Sequence, residues 1–169
     1  MIRRSSKQHP VRTARGFSLI ELVVVVAIAM IVMASAIPGI RRMSQLYAMH
    51  AAVTSVTGAI QAARYNAIFH GCRYQVVFTA ATKSYTVANQ VGAAGAQTCN
   101  AAYSVPGTAI PIQGRGVTLG ADVTLQFLPS GVVQSVPAGA INMNISYPGT
   151  GIHDEQIQVS NYGKILVTP

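Results

Sequence analysis

Three groups of residues in this chain could do chemistry. The first is Glu21, set in the stretch RTARGFSLIELVVVVAIAM, where everything after Gly16 is apolar except Ser18 and Glu21 itself. A lone carboxylate among apolar groups is costly, so it takes up a proton or seeks a cation. Arg12 and Arg15 stand just before the run rather than within it. The second group is Cys72 and Cys99. They could form a disulfide or remain two buried thiols, and the lack of a CxxC spacing argues against a metal. The third is His153-Asp154-Glu155, which has the residue types of a metal-surface cluster but lacks a nucleophile partner or ligand spacing. His50 and His70 lie 20 residues apart on an expected helix, too far to share a metal, and read as polar or capping residues. No Gly-rich phosphate cradle precedes a helix. Neither a catalytic residue nor a cofactor or metal is expected.

The elements that must hold these groups can be read from charge and periodicity. Phe17 to Ile37 is the only apolar stretch long enough to cross a bilayer: 21 residues at 1.5 Å rise cover roughly 30 Å. Mean hydropathy, +0.38, is high for a soluble domain and low for a polytopic membrane protein. The formal charge of +8 is concentrated at the start, in Arg3, Arg4, Lys7, Arg12 and Arg15. Beyond Gly16 the excess is +3 and scattered: Arg41, Arg42, Arg64, Arg73, Lys83, Arg115 and Lys164 against Glu21, Asp122, Asp154 and Glu155. Basic residues before a span stay on the cytoplasmic side, so the C-terminal bulk is expected outside the cytoplasm. Both cysteines then fall in an oxidising compartment, which favours the disulfide. Closing a loop of this length contributes about 3–4 kcal/mol by chain entropy.

A secretory signal peptide with Ala34-Ser35-Ala36 as cleavage site is the competing reading. The apolar run is too long for it, Glu21 sits early in the run, and the helical pattern continues past Pro38. Within a helix Pro38, followed by Gly39, predicts a kink or local melting. Past Arg41 and Arg42 the pattern turns amphipathic: Leu46, Met49, Val53, Val56, Ile60, Ala63 and Ala67 step by three and four. That stripe is the face expected on a sheet, with Gln45, Ser55, Gln61 and Arg64 off it. His70-Gly71 reads as the helix end. Afterwards the period drops to two, over Tyr74–Phe78 and again at Tyr85 and Val87. Asn89 to Gly107 reads as a loop holding Cys99. Strands are expected at 116–119, 123–128, 132–136, 141–147, 156–160 and 164–167. The fold class is α+β, one long N-terminal helix on a mainly antiparallel sheet, with no repeat and no second domain.

The run ARGFSLIEL resembles the class III signal of type IV pilins and type II secretion pseudopilins. The resemblance implies that a membrane aspartic prepilin peptidase cuts between Gly16 and Phe17 and methylates the new N-terminus at Phe17. Residues 1–16 would then be a cleaved basic leader and 17–40 a transmembrane and assembly helix. Residues 41–71 would be its amphipathic continuation, and 72–169 a periplasmic β-rich domain. In that family the carboxylate at Glu21 meets the N-terminal amine of a neighbouring subunit, and a proline is common at the place of Pro38. Implied partners are the peptidase, other pilin or pseudopilin subunits, an inner-membrane assembly platform and membrane lipid. The implied location is the bacterial inner membrane, crossed once, with the N-terminus cytoplasmic before processing and assembly into a periplasmic or extracellular filament.

Two later stretches narrow the resemblance to the GspH/FimT family of minor pseudopilins. LQFLPSGVV carries Phe127, Pro129 and Gly131; IQVSNYGKILV carries Gly163 and Lys164, where the family commonly has Gly-Arg. The family implies three jobs: a minor subunit of a type II secretion pseudopilus, a minor pilin priming a type IV pilus, or a DNA receptor. DNA affinity scales with the phosphates neutralised. Here the turn offers Lys164 alone and Arg115 stands apart, so nucleic acid is not an expected partner. An ordinary secreted or anchored structural protein is the remaining alternative.

Overall fold

The computed structural model describes residues 16–92, 98–136, 141–149 and 151–169. The basic leader expected before Gly16, and the middle of the stretch expected as a loop, lie outside the described residues. The chain divides between Ile40 and Arg41 into two units, each taken by itself below.

Helix α1 spans Leu19–His70, 52 residues without interruption. Four consecutive valines, Val23–Val26, are poor helix formers in water because their branched side chains crowd the preceding turn. In an apolar medium the balance reverses, since only a helix satisfies every backbone group within the segment. The backbone stays helical across position 38, so the local melting expected there is not found. The helix ends at Gly71, whose φ of 64° supplies the left-handed residue that closes the last turn.

In the unit from Arg41 onward, α1 buries Met49, Ala52, Val53, Val56, Ala59, Ile60, Ala63 and Ala67. Leu46, expected to begin this stripe, is 39% exposed instead. Two sheets follow rather than the single one expected, and every pairing is antiparallel. The first contains β1 (Tyr74–Thr79), β2 (Ser84–Val91), β3 (Cys99–Ser104), β4 (Ile110–Pro111), β6 (Val123–Phe127) and β7 (Val133–Val136), in the order β3-β2-β1-β6-β7 with β4 also on β2. The second is β10-β9-β8-β5, from β5 (Thr118–Leu119), β8 (Ile141–Ser146), β9 (Glu155–Val159) and β10 (Ile165–Thr168).

Register explains the core. Tyr74 pairs with Phe127 and Val76 with Leu125, and all four side chains are buried. In the second sheet Ile141 pairs with Val159 and Met143 with Ile157, again all buried. These rows form one cluster with the inner face of α1. The stretch expected as a loop from Asn89 to Gly107 is corrected at both described ends. β2 continues to Val91, and β3 pairs back onto it through Asn89↔Ser104 and Val91↔Cys99. β3 buries little, so backbone pairing rather than an alternating apolar face defines it.

Candidate functional site

Gly16, Phe17 and Ser18 precede the helix in non-helical conformation. The Leu22 amide donates to the Ser18 carbonyl at 3.2 Å, which makes Ser18 the N-cap. Glu21 then falls three positions after the cap, in the first turn. The S-x-x-E spacing of Ser18 and Glu21 is that of a capping box, a signal present in the sequence and not used above. The partial positive charge of the helix N-terminus therefore acts on Glu21. Around it the unit offers no apolar cover of its own. Phe17 and Leu19 are each 81% exposed, and an 18-residue window of mean hydropathy 2.8 has none of its residues buried. By length and composition the segment can cross a membrane once.

A second constellation lies in the unit from Arg41 onward, where two turns of the same construction meet one helical side chain. β6 and β7 are joined by 128–132: the Gly131 amide donates to Leu128 O at 2.9 Å, and Leu128 N to Val132 O at 2.9 Å. β9 and β10 are joined by 160–164: Gly163 N donates to Ser160 O at 2.8 Å, and Ser160 N to Lys164 O at 2.9 Å. In each a glycine sits fourth in the turn, with φ of 81° at Gly131 and 76° at Gly163. A left-handed residue closing a hairpin loop requires this geometry. Pro129 takes the second turn position, which its fixed φ favours. Val133 N donates to Asn161 O at 2.8 Å, so the two turns, from different sheets, touch.

Between them stands Arg64, which sequence periodicity left merely off the stripe. Its Nε donates to Gly131 O at 3.1 Å. A Cβ at Gly163 would lie 2.6 Å from the same Nε, so glycine permits this approach. The structure thus brings together Gly131, Gly163 and Arg64. Phe127 is buried in the core below, and Pro129 and Lys164 are exposed.

The remaining expected residues separate. Cys72 and Cys99 are joined as a disulfide with Cα atoms 5.5 Å apart, which ties the start of β3 to the end of α1. Glu155 leaves the His153-Asp154-Glu155 run to approach His50, Oε1 to Nδ1 at 4.0 Å. His70 packs edge-on to Phe69 and stacks on Tyr74, with centroids at 5.1 and 6.0 Å. Among the described residues no group of three His, Cys, Asp or Glu could hold a metal. Burial raises the Tyr74 phenol above its usual pKa. It does the same at Tyr103, opposed by the charge of Arg73.

Residues 11–37 match the prokaryotic N-terminal methylation motif. Solved structures similar to this chain include the type IV minor pilin FimU of Pseudomonas aeruginosa, at 16% identity, 75% of this chain, 92% of that one and a TM-score of 0.50. Another is the minor pseudopilin EpsH from the type 2 secretion system of Vibrio cholerae, at 14% identity, 68% of this chain, 91% of that one and a TM-score of 0.48. No match emerges among curated proteins. At such identity the likeness to FimU is one of fold: a long N-terminal helix packed on antiparallel β-sheet, the type IV pilin-like arrangement.

Proposed function

We propose that the chain is a minor pseudopilin or minor pilin, a membrane-anchored subunit that enters a filament through its N-terminal helix. One observation carries the proposal. The methylation motif over 11–37 leads directly into an exposed apolar helix, and that same helix continues as the spine of a pilin-like fold. Cleavage at Gly16–Phe17 leaves the anchor attached, unlike removal of an ordinary signal peptide. Prepilin peptidase is the processing enzyme, and Phe17 the residue it methylates.

Glu21 fits this role on magnitudes. A carboxylate in a membrane helix costs on the order of 2–3 kcal/mol on insertion scales. The helix N-terminus offsets about 0.3–1 kcal/mol of that. The remainder is met by a cation, and in a filament the amine of a neighbouring subunit's Phe17 supplies one. The bond lost on leaving the filament is then the bond that favours assembly and axial register. The described cations, scattered and with Lys164 alone at its turn, give the DNA-receptor reading no support.

Co-expression with a prepilin peptidase tests processing. The mature N-terminus should be N-methylated Phe17 by mass spectrometry; an intact Met1, or a start at Ile37, would overturn the proposal. Glu21→Ala should still be cleaved and inserted but be depleted about tenfold or more from filaments, as loss of a charge-assisted contact predicts. Normal incorporation would mean that Glu21 pairs within its own chain, with an amine one helical turn away.

A further inference from the structure

Arg64 has more hydrogen-bonding capacity than its own chain uses. Nε is engaged by Gly131 O, but among the described residues Nη1 and Nη2 have no hydrogen-bond partner. The one ion-pair contact there, His50–Glu155, lies elsewhere. The guanidinium lines a cavity of about 370 Å³ with Ile60, Gln61, Tyr65, Ile68 and Ile165. Tyr65 and Ile68 are 65% and 51% exposed, and Phe69 stacks on Tyr65 with centroids 5.9 Å apart. An apolar and aromatic rim around one arginine has the composition of an interface anchor.

We infer that this groove receives a single carboxylate, an Asp or Glu flanked by apolar side chains, from a neighbouring subunit. Pre-organisation is the first reason. Gly131 O and the close approach of Gly163 already fix the fork, so a ligand does not have to order it. Charge complementarity is the second. From Arg41 onward there are seven Lys and Arg and only Asp122, Asp154 and Glu155 in opposition. Asp122 accepts from the Ala80 amide at 2.7 Å, and Glu155 faces His50. The chain offers Arg64 no acid of its own. A phosphate ligand fits less well, because no second cation lines the cavity and a dianion calls for several donors. The partner's identity as a filament subunit rests on the proposed function above; the carboxylate specificity does not.

The two are tested separately on the full-length processed chain in detergent micelles. The probes are the peptides acetyl-Leu-Glu-Leu-amide and acetyl-Leu-Gln-Leu-amide, followed by the ¹⁵N resonance of the Arg64 Nε–H. The Glu peptide should shift it saturably and bind about tenfold tighter than the Gln peptide, the size expected of a charge-assisted fork. Arg64→Lys should remove most of that preference. Tyr65→Ala, which leaves the bond to Gly131 in place, should weaken both peptides alike. Equal binding of the two peptides, or an unchanged preference in Arg64→Lys, overturns the assignment. In cells, Arg64→Lys should be depleted from filaments about tenfold by the same fork argument, while remaining membrane-bound and folded. Undiminished incorporation also overturns it. If the wild-type chain is absent from filaments while the Glu preference holds, the groove stands and the filament reading falls.

Discussion

Residues 19–40 and 41–70 belong to one unbroken helix but are built for different surroundings. From Phe17 to Ile40 every side chain with a described environment is exposed, apart from Ala29 at an intermediate level. From Met49 onward one face is buried against the sheets and the other left open. An apolar side chain stabilises the fold only where the chain itself covers it; one left bare contributes when lipid or a second molecule covers it. Folding stability should therefore reside in the second stretch, and membrane retention in the first. Each can be perturbed without the other.

Phe127→Ala gives the largest effect. The ring is fully buried at the end of β6, where it pairs with Tyr74 and Val133. Deleting it should cost about 3–5 kcal/mol through lost burial and the cavity left behind. Melting of the solubilised chain, followed by near-ultraviolet circular dichroism, should fall by roughly 10–20 °C. The fraction that sediments with membranes should not change, and a parallel loss would end the separation of the two stretches.

Reducing the Cys72–Cys99 disulfide is next. With a sequence separation of 27, chain entropy predicts a loss of about 3–4 kcal/mol. The effect should concentrate in β3, whose amides should lose hydrogen-exchange protection before those of β1. β3 has little buried side-chain surface to hold it once the link is gone. A melting temperature unmoved by reductant would place its stability in backbone pairing with β2 alone.

The same contrast governs what the sequence discloses. The first stretch is legible because its determinants are local: basic residues, Gly16, Phe17, Glu21 and a continuous apolar run. β1, β6 and β9 are legible for a related reason, since alternation with period two marks a half-buried strand without knowledge of its partner. β3 is not, because CNAAYS alternates nothing and is specified by β2 and Cys72, both distant in sequence. The division into two sheets is likewise hidden. Thr118–Leu119 pairs with Ser146 and Ile145 rather than with the nearby β6, a choice no local pattern encodes. Arg64 escaped notice because its meaning depends on two turns 67 and 99 residues away. Leu46 has the right spacing, but the buried face of the helix begins only at Met49.

Ile28→Asp perturbs the first stretch instead. Ile28 is 57% exposed, and an acid near the middle of a span costs about 3 kcal/mol on insertion scales. The carbonate-resistant membrane fraction should drop severalfold. The melting temperature of the solubilised protein should move by no more than about 1–2 °C, as for a surface change of under 0.5 kcal/mol. A large loss of melting temperature would show that the anchor supports the fold.

Gly163→Ala should be the mildest change and the most informative about how the turns are joined to the helix. Two penalties combine in it. Backbone strain at φ of 76° costs an alanine roughly 1–2 kcal/mol. The second is steric, because the new methyl meets Arg64 at Nε, Cδ and Cζ, all within 2.8 Å. That side chain cannot simply swing away without releasing Gly131 O. Gly163→Asn separates the two contributions, since asparagine tolerates the left-handed region but still carries a Cβ. Arg64→Ala separates them from the other side by removing the obstacle. If the turns are held through Arg64, the double variant Arg64→Ala, Gly163→Ala should be more stable than the sum of the single losses predicts, by about 0.5–1 kcal/mol. Strict additivity would mean that Gly163 answers only to its own backbone. The hairpin 160–164 would then be held by Val133 N and Asn161 O, with the arginine beside it rather than between the turns.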